Sequence, residues 1–199
     1  MIDLQLLIAR NAQRWNIAKV TGVGFGTVAL RLSADAARHQ YEAVTAEINV
    51  PWYVVAVIHE REASQDWNAN IAQGDPWNRV STHEPIGRGP FTSWHEAAID
   101  ALVNCAPYAS RWKDWSAGGL LTLLEQYNGL GYAMHNVPSP YIWSGTDQYV
   151  SGKFTRDHFY DPNVVDKQLG CAGLLMNIAR ICNFDISTVM PVDQTSEAT

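Results

Sequence analysis

A mostly α-helical fold with a small β element is the expectation for this chain, and three features of the sequence carry it. Apolar residues recur at helical spacing over several long segments, helix-starting residues stand ahead of them, and Gly, Pro and Asn crowd the stretch from Gln73 to Phe91. A length of 199 residues with 47% hydrophobic content is enough for one well-formed core. No low-complexity linker divides the chain, so one domain over residues 1–185 with a tail over 186–199 is expected.

Helical periodicity runs from Asp3 to about Trp15 and is broken by Thr21-Gly22-Val23-Gly24-Phe25-Gly26-Thr27. The three alternating glycines are not followed by Gly-Lys-Ser/Thr, so a turn or packing segment is expected there, not a phosphate loop. Ser33 to Ile48 reads as a helix, started by Ser33 or Asp35 and ended by Asn49-Val50-Pro51. Pro51 to Ser64 reads as the next. The Gln73–Phe91 stretch, with the β-compatible Arg79-Val80-Ser81-Thr82-His83, is expected to supply a small β lobe or long loop. Ser93-Trp94-His95-Glu96 is a capping box that opens a helix to about Cys105. Ser116 opens another through about Tyr127, and Asp161-Pro162 to Cys182 reads as one long helix.

A formal net charge of -6 argues against nucleic acid as partner, because phosphate neutralisation needs a basic footprint. Cys105, Cys171 and Cys182 are odd in number and form no Cys-x-x-Cys pair; free thiols in a reducing compartment are expected. The start of the chain does not read as a secretory signal, and no stretch approaches the roughly 18 apolar residues of a spanning helix. Synthesis in the cytoplasm, with no integral membrane segment, follows as the expectation.

Glu62 is the residue with most chemical content. It follows Ile58 by four positions and Val55 by seven, so a helix places all three on one face, the buried one. Burial disfavours the charged carboxylate and raises its pKa, as a general acid requires. Glu60, about 200° around the same helix, should face solvent. The structural alternative for Glu62 is an ion pair with Arg61 or another arginine.

A second segment, Leu123-Leu124-Glu125-Gln126-Tyr127-Asn128-Gly129-Leu130-Gly131-Tyr132, takes a helix into a Gly-punctuated turn. Glu62 with Ser64 nearby, and a downstream Tyr127-Asn128-Gly129, resemble the lysozyme-like superfamily: the lytic transglycosylases and goose-type lysozymes, phage endolysins included. Asn136-Val137-Pro138-Ser139-Pro140-Tyr141-Ile142-Trp143-Ser144 is also similar to phage and prophage members, and the resemblance covers roughly Ala46 to Ala179. Ala63 separates Glu62 from Ser64 where the transglycosylase pattern has Ser directly after Glu. The resemblance implies an α+β fold with two lobes flanking a glycan cleft. It also implies cleavage of the β-1,4 bond between N-acetylmuramic acid and N-acetylglucosamine in peptidoglycan, without cofactor or metal. Export would then depend on a phage holin or a virion.

On that reading Glu62 is the acid. An inverting hydrolase adds a second carboxylate roughly 6.5–9.5 Å away; Asp66, Asp75 and Asp100 are the options, and Asp75 is preferred because the Gly74-Asp75-Pro76 turn can aim it across a cleft. A transglycosylase needs only Glu62. Ser64, Gln73, Tyr127, Asn128, Tyr141 and Trp143 are the expected substrate-binding residues. Of eight tryptophans, Trp67, Trp77 and Trp143 fall in predicted loops, where indole can stack on a sugar face. Trp94, Trp112 and Trp115 are expected to pack. Two other classes remain. His59-Glu60 begins the zinc signature His-Glu-x-x-His but lacks its second histidine, Ala63 standing there, which leaves a zinc-dependent cell-wall peptidase as a rival. His83, His95, His135 and His158 have no ligand spacing. A catalytically inactive lysozyme-like module is the other alternative.

Overall fold

The computed structural model describes residues 2–156 and 159–186. His158 and nearly all of the expected tail lie outside them. Helices are the dominant regular structure among the described residues, with a two-stranded antiparallel sheet, so the α+β expectation holds at that level. None of the helices among the described residues is long and apolar enough to cross a membrane.

The organising element is α4, Trp52–Ala63. Its Val54-Val55-Ala56-Val57-Ile58 run is fully buried on every side, the signature of a helix that runs through a core. Against it pack α2 (Phe25–Leu32), α3 (Asp35–Ile48) and α9 (Cys171–Cys182), and α6 (Ala117–Tyr127), which packs on α9, completes one contiguous apolar cluster with them. α1 (Leu4–Ile17) lies against α6, and α5 (Trp94–Val103) against α3. The expected caps at Ser93, which accepts from the Glu96 N–H, and Ser116, which accepts from the Gly119 N–H, are made, and Asp3 also caps α1 by accepting from the N–H groups of Gln5 and Leu6. Glu96 reaches back to Thr92, accepting from both its N–H and its hydroxyl, one residue earlier than the capping box predicts.

Three expectations are corrected. The Gly22–Gly26 region is not only a turn, because Gly24, at φ 93°, starts α2. Phe25, Ala29 and Leu32, at i, i+4 and i+7, form that helix's buried stripe. The Gln73–Phe91 stretch forms no strand among the described residues; it is an irregular loop whose one ladder contact is the bridge Ala69 to Pro76. The sheet lies instead at β1 (Lys153–Arg156) and β2 (Phe159–Asp161), and the Asp161 carboxylate accepts from Asn163 N–H to turn the chain out of it. The expected helix from Asp161 therefore starts only at Cys171. Gly170 caps it where a Cβ would come within 2.5 Å of the Ile142 carbonyl. All three cysteines are free, Cys105 and Cys171 buried and Cys182 half-buried.

Candidate active site

The C-terminal turn of α4 delivers Arg61 and Glu62 to the wall of a cavity of about 760 Å³. The opposite wall is built by the turn after α6 and by the hairpin. Gly129 and Leu130 have positive φ there, and the short helix α7 (Gly131–Met134) follows. Tyr132 packs edge-on to Phe154, and its hydroxyl accepts from the Phe154 N–H, which fastens β1 to α7. A second short helix, α8 (Pro140–Trp143), brings Tyr141 to the same cavity.

The Tyr141 hydroxyl donates to Glu62 Oε1 at 2.7 Å. Burial raises the Glu62 pKa from 4.5 to about 7, against the opposing effects of this hydrogen bond and the Arg61 charge. Burial likewise pushes the Tyr141 hydroxyl well above its usual range, and the Glu62 charge adds to that. Tyr141 is thus a fixed neutral donor to the acid. Tyr141→Phe removes a donor that favours charged Glu62, so its carboxyl is expected to titrate still higher; carbon-detected NMR titration of that side chain reads the shift, and an unmoved or lowered pKa would contradict the bond.

Arg61 places its guanidinium 4.6 Å from the centre of the Tyr141 ring and donates to the Leu169 carbonyl. It also faces Asp166 at 3.5 Å, with both side chains 5% exposed. Asp166 accepts further from Lys153 Nζ and from the Gln168 N–H. Burial works to raise its pKa, but the Gln168 N–H, Arg61 and Lys153 outweigh it and hold the carboxylate below its usual range. Asp166, Arg61 and Lys153 therefore join α4, β1 and the 162–170 loop into one charged seam beside Glu62.

Of the residues expected from sequence, Glu62, Asn128 and Tyr141 line this cavity together. The others do not. Ser64 is the exposed left-handed cap of α4, and its carbonyl accepts from Arg31. Gln73 lies under the turn that crosses the end of α4, with both amide atoms buried and without a partner among the described residues. That turn needs Gly74, at φ 77°, because a Cβ there would sit 2.9 Å from the Glu62 carbonyl oxygen. Tyr127 donates to the Ile71 carbonyl and so ties α6 to the same turn. Burial, with the Glu62 charge second, raises its pKa well above the usual value. Trp143 is 1% exposed, a core residue and not a stacking platform.

Asp75 turns away from the cavity. Its carboxylate accepts from the N–H groups of His83 and Thr82 and from the His83 ring, and the His83 and Thr82 hydrogen bonds lower its pKa to about 2. Asp66 is engaged with Asn68 and Asp100 with Arg88 and Asn104. The Glu60 side chain is 15% exposed, not solvent-facing as the helix angle suggested, since α2 covers it and Arg31 pairs with it at 2.7 Å. Comparison with protein-family models, curated proteins and solved structures finds no match.

Trp67 and Trp77 belong to a structural cluster: Trp67 stacks on Tyr41, and Trp77 Nε1 donates to the Trp67 carbonyl. His59 sits in the same cluster, fully buried, and burial lowers its pKa to about 4. Nε2 can only donate to the Asp66 carbonyl, which leaves Nδ1 as acceptor for the Tyr41 hydroxyl. Neither ring nitrogen is left for a zinc ion. Asp166 is the residue that sequence reasoning missed, because its partner Arg61 is 105 positions away and no local pattern marks it.

Proposed function

We propose that this protein is a peptidoglycan-degrading glycosidase that cleaves the β-1,4 bond after N-acetylmuramic acid, with Glu62 as general acid. The supporting observation is the Glu62 carboxyl itself. It stands at a cavity wall with a pKa near 7 and is held in place by a neutral donor, Tyr141. At neutral pH a substantial fraction carries the proton that the glycosidic oxygen needs as its bond to the sugar breaks. The end of α4 on one side, and the α6–α7 turn with the hairpin on the other, are the two sides of the proposed glycan cleft, in keeping with the resemblance to lysozyme-like proteins. Asn128, exposed at the turn, would orient the substrate acetamido group.

One acid that acts twice is favoured over a pair. Asp166 is the other carboxylate on the cavity wall among the described residues, and three donors occupy it. A carboxylate so held is a poor base for water. Glu62 would therefore give its proton to the leaving group, then take one back from the sugar 6-hydroxyl as that oxygen closes onto the anomeric carbon. The product is a 1,6-anhydro end, made without a cofactor, and the reaction is that of a lytic transglycosylase. Action on the wall then calls for a phage holin or a virion as carrier.

Mass spectrometry of fragments released from purified cell walls tests this. Anhydro ends are expected. Reducing ends would replace the one-acid route with hydrolysis, and the absence of any glycan fragment would remove the glycosidase reading.

A further inference from the structure

The cavity beside Glu62 is basic in a chain that is acidic overall. The formal charge of the protein is -6, yet Arg61, Lys153 and Arg156 all line this cavity. Against them stands Asp166, fully engaged, and Glu62, largely uncharged below pH 7. One ionised carboxylate cannot neutralise three cations.

Arg61 carries the second observation. The residue is 9% exposed and uses its terminal nitrogens on the Leu169 carbonyl and on Asp166, while its Nε is buried with no partner among the described residues. That Nε is closed off from the cavity, so Arg61 acts on a ligand there through its charge. Arg156 stands on the exposed hairpin, its guanidinium 4.8 Å over the Phe159 ring, and no carboxylate among the described residues pairs with it. Lys153 stands on the same strand as Arg156, 36% exposed even while paired with Asp166.

We propose that Arg61, Lys153 and Arg156 form an anion subsite that takes a substrate carboxylate. Resting on the glycosidase reading, this is the acid arm of the muramic sugar, free or extended by a stem peptide. N-acetylglucosamine has no group for it, so the subsite sets the register of the strand. The muramic residue faces the hairpin, and the bond that presents its oxygen to Glu62 is the one cleaved.

Ligand-observed NMR on the full chain with N-acetylmuramic acid, muramyl dipeptide and the neutral chitotriose tests the subsite. An acidic probe is expected to bind at least about threefold more tightly than chitotriose, the scale of a partly exposed ion pair. That advantage should fade in about 0.5 M salt, where screening is nearly complete beyond contact. Arg156→Gln, on the exposed hairpin, should lower the acidic-to-neutral ratio by a similar factor. An advantage for N-acetylmuramic acid assigns the sugar's own carboxylate, and one confined to the dipeptide assigns the stem. No advantage of either acid over chitotriose, or a ratio that Arg156→Gln leaves unchanged, overturns the proposal. Wall cleavage combined with those null results would remove the subsite and keep the glycosidase; Arg156-dependent binding without wall cleavage would do the opposite.

Discussion

Glu62→Gln is expected to slow the release of wall fragments by about 10²–10⁴-fold, the usual contribution of a positioned general acid. The substitution keeps the shape of the side chain and the oxygen that accepts from Tyr141, so the cavity stays intact while the transferable proton is lost. Glu60→Gln is the control: its carboxylate is held by Arg31 on the α2 side and does not line the cavity, so most activity should remain. Turbidity clearing by the Glu62 variant at the wild-type rate would end the assignment.

The same variant carries a stability readout with a definite sign. A carboxyl whose pKa is raised from 4.5 to about 7 by folding costs nothing below pH 4.5, where both states are protonated. Between those values the unfolded chain ionises and the folded one does not, so stability falls as pH rises, and the cost is complete above pH 7. Removing the carboxyl should therefore stabilise the protein at pH 8 relative to pH 4 by at most about 3 kcal/mol. Urea unfolding at the two pH values measures it. A Glu62 variant that is inactive and less stable at pH 8 would point to a misfolded site in place of a missing proton.

How much of this was legible depends on whether the deciding contacts are local. Helices α1, α3, α4, α5 and α6 were visible because periodicity and caps are short-range; the spacing of Glu62 to Val55 and Ile58 was a weaker guide, since α4 is buried on every side there and the same reasoning misplaced Glu60. The α2 stripe of Phe25, Ala29 and Leu32 was equally periodic but hidden by flanking glycines. Of these, Gly22 has a packing cause: a Cβ there would come within 3.2 Å of the Phe25 ring, and Gly145 and Gly173 lie against the same ring, where a Cβ would come within 2.6 Å and 2.3 Å of its atoms. Trp143 looked like a loop residue, yet Pro140 starts a short helix that turns the indole inward. Asp75 was favoured for its Gly-Asp-Pro turn, and that turn does orient it, but toward the N–H groups of Thr82 and His83, as acceptor-rich side chains in loops commonly do. Asp166 was invisible, because a buried ion pair between distant segments leaves no periodic trace.

That ion pair leads to the largest expected stability loss. Asp166→Ala leaves the Arg61 guanidinium, 5% exposed, without its counter-charge, and breaking a buried pair from one side costs about 3–5 kcal/mol. Lys153→Met should cost less, because its side chain is 36% exposed and nothing buried is stranded beyond what Arg61 still satisfies. The pH dependence runs opposite to that of Glu62. The Asp166 pKa is depressed by folding, so its contribution is present above the usual carboxylate value near 3.8 and is lost as pH falls through the lower folded value. The penalty of Asp166→Ala should accordingly shrink in strong acid. Replacing the pair together, Arg61→Met with Asp166→Leu, separates a stranded charge from a lost attraction: recovery of most of the stability means the single variant suffered from the orphaned Arg61. Activity should not recover with it, since the guanidinium packed on Tyr141, which steadies the donor to Glu62, would be gone. A loss below about 1 kcal/mol for Asp166→Ala, the range of an exposed pair, would show that solvent reaches this seam and that Glu62 is not held in a dry site.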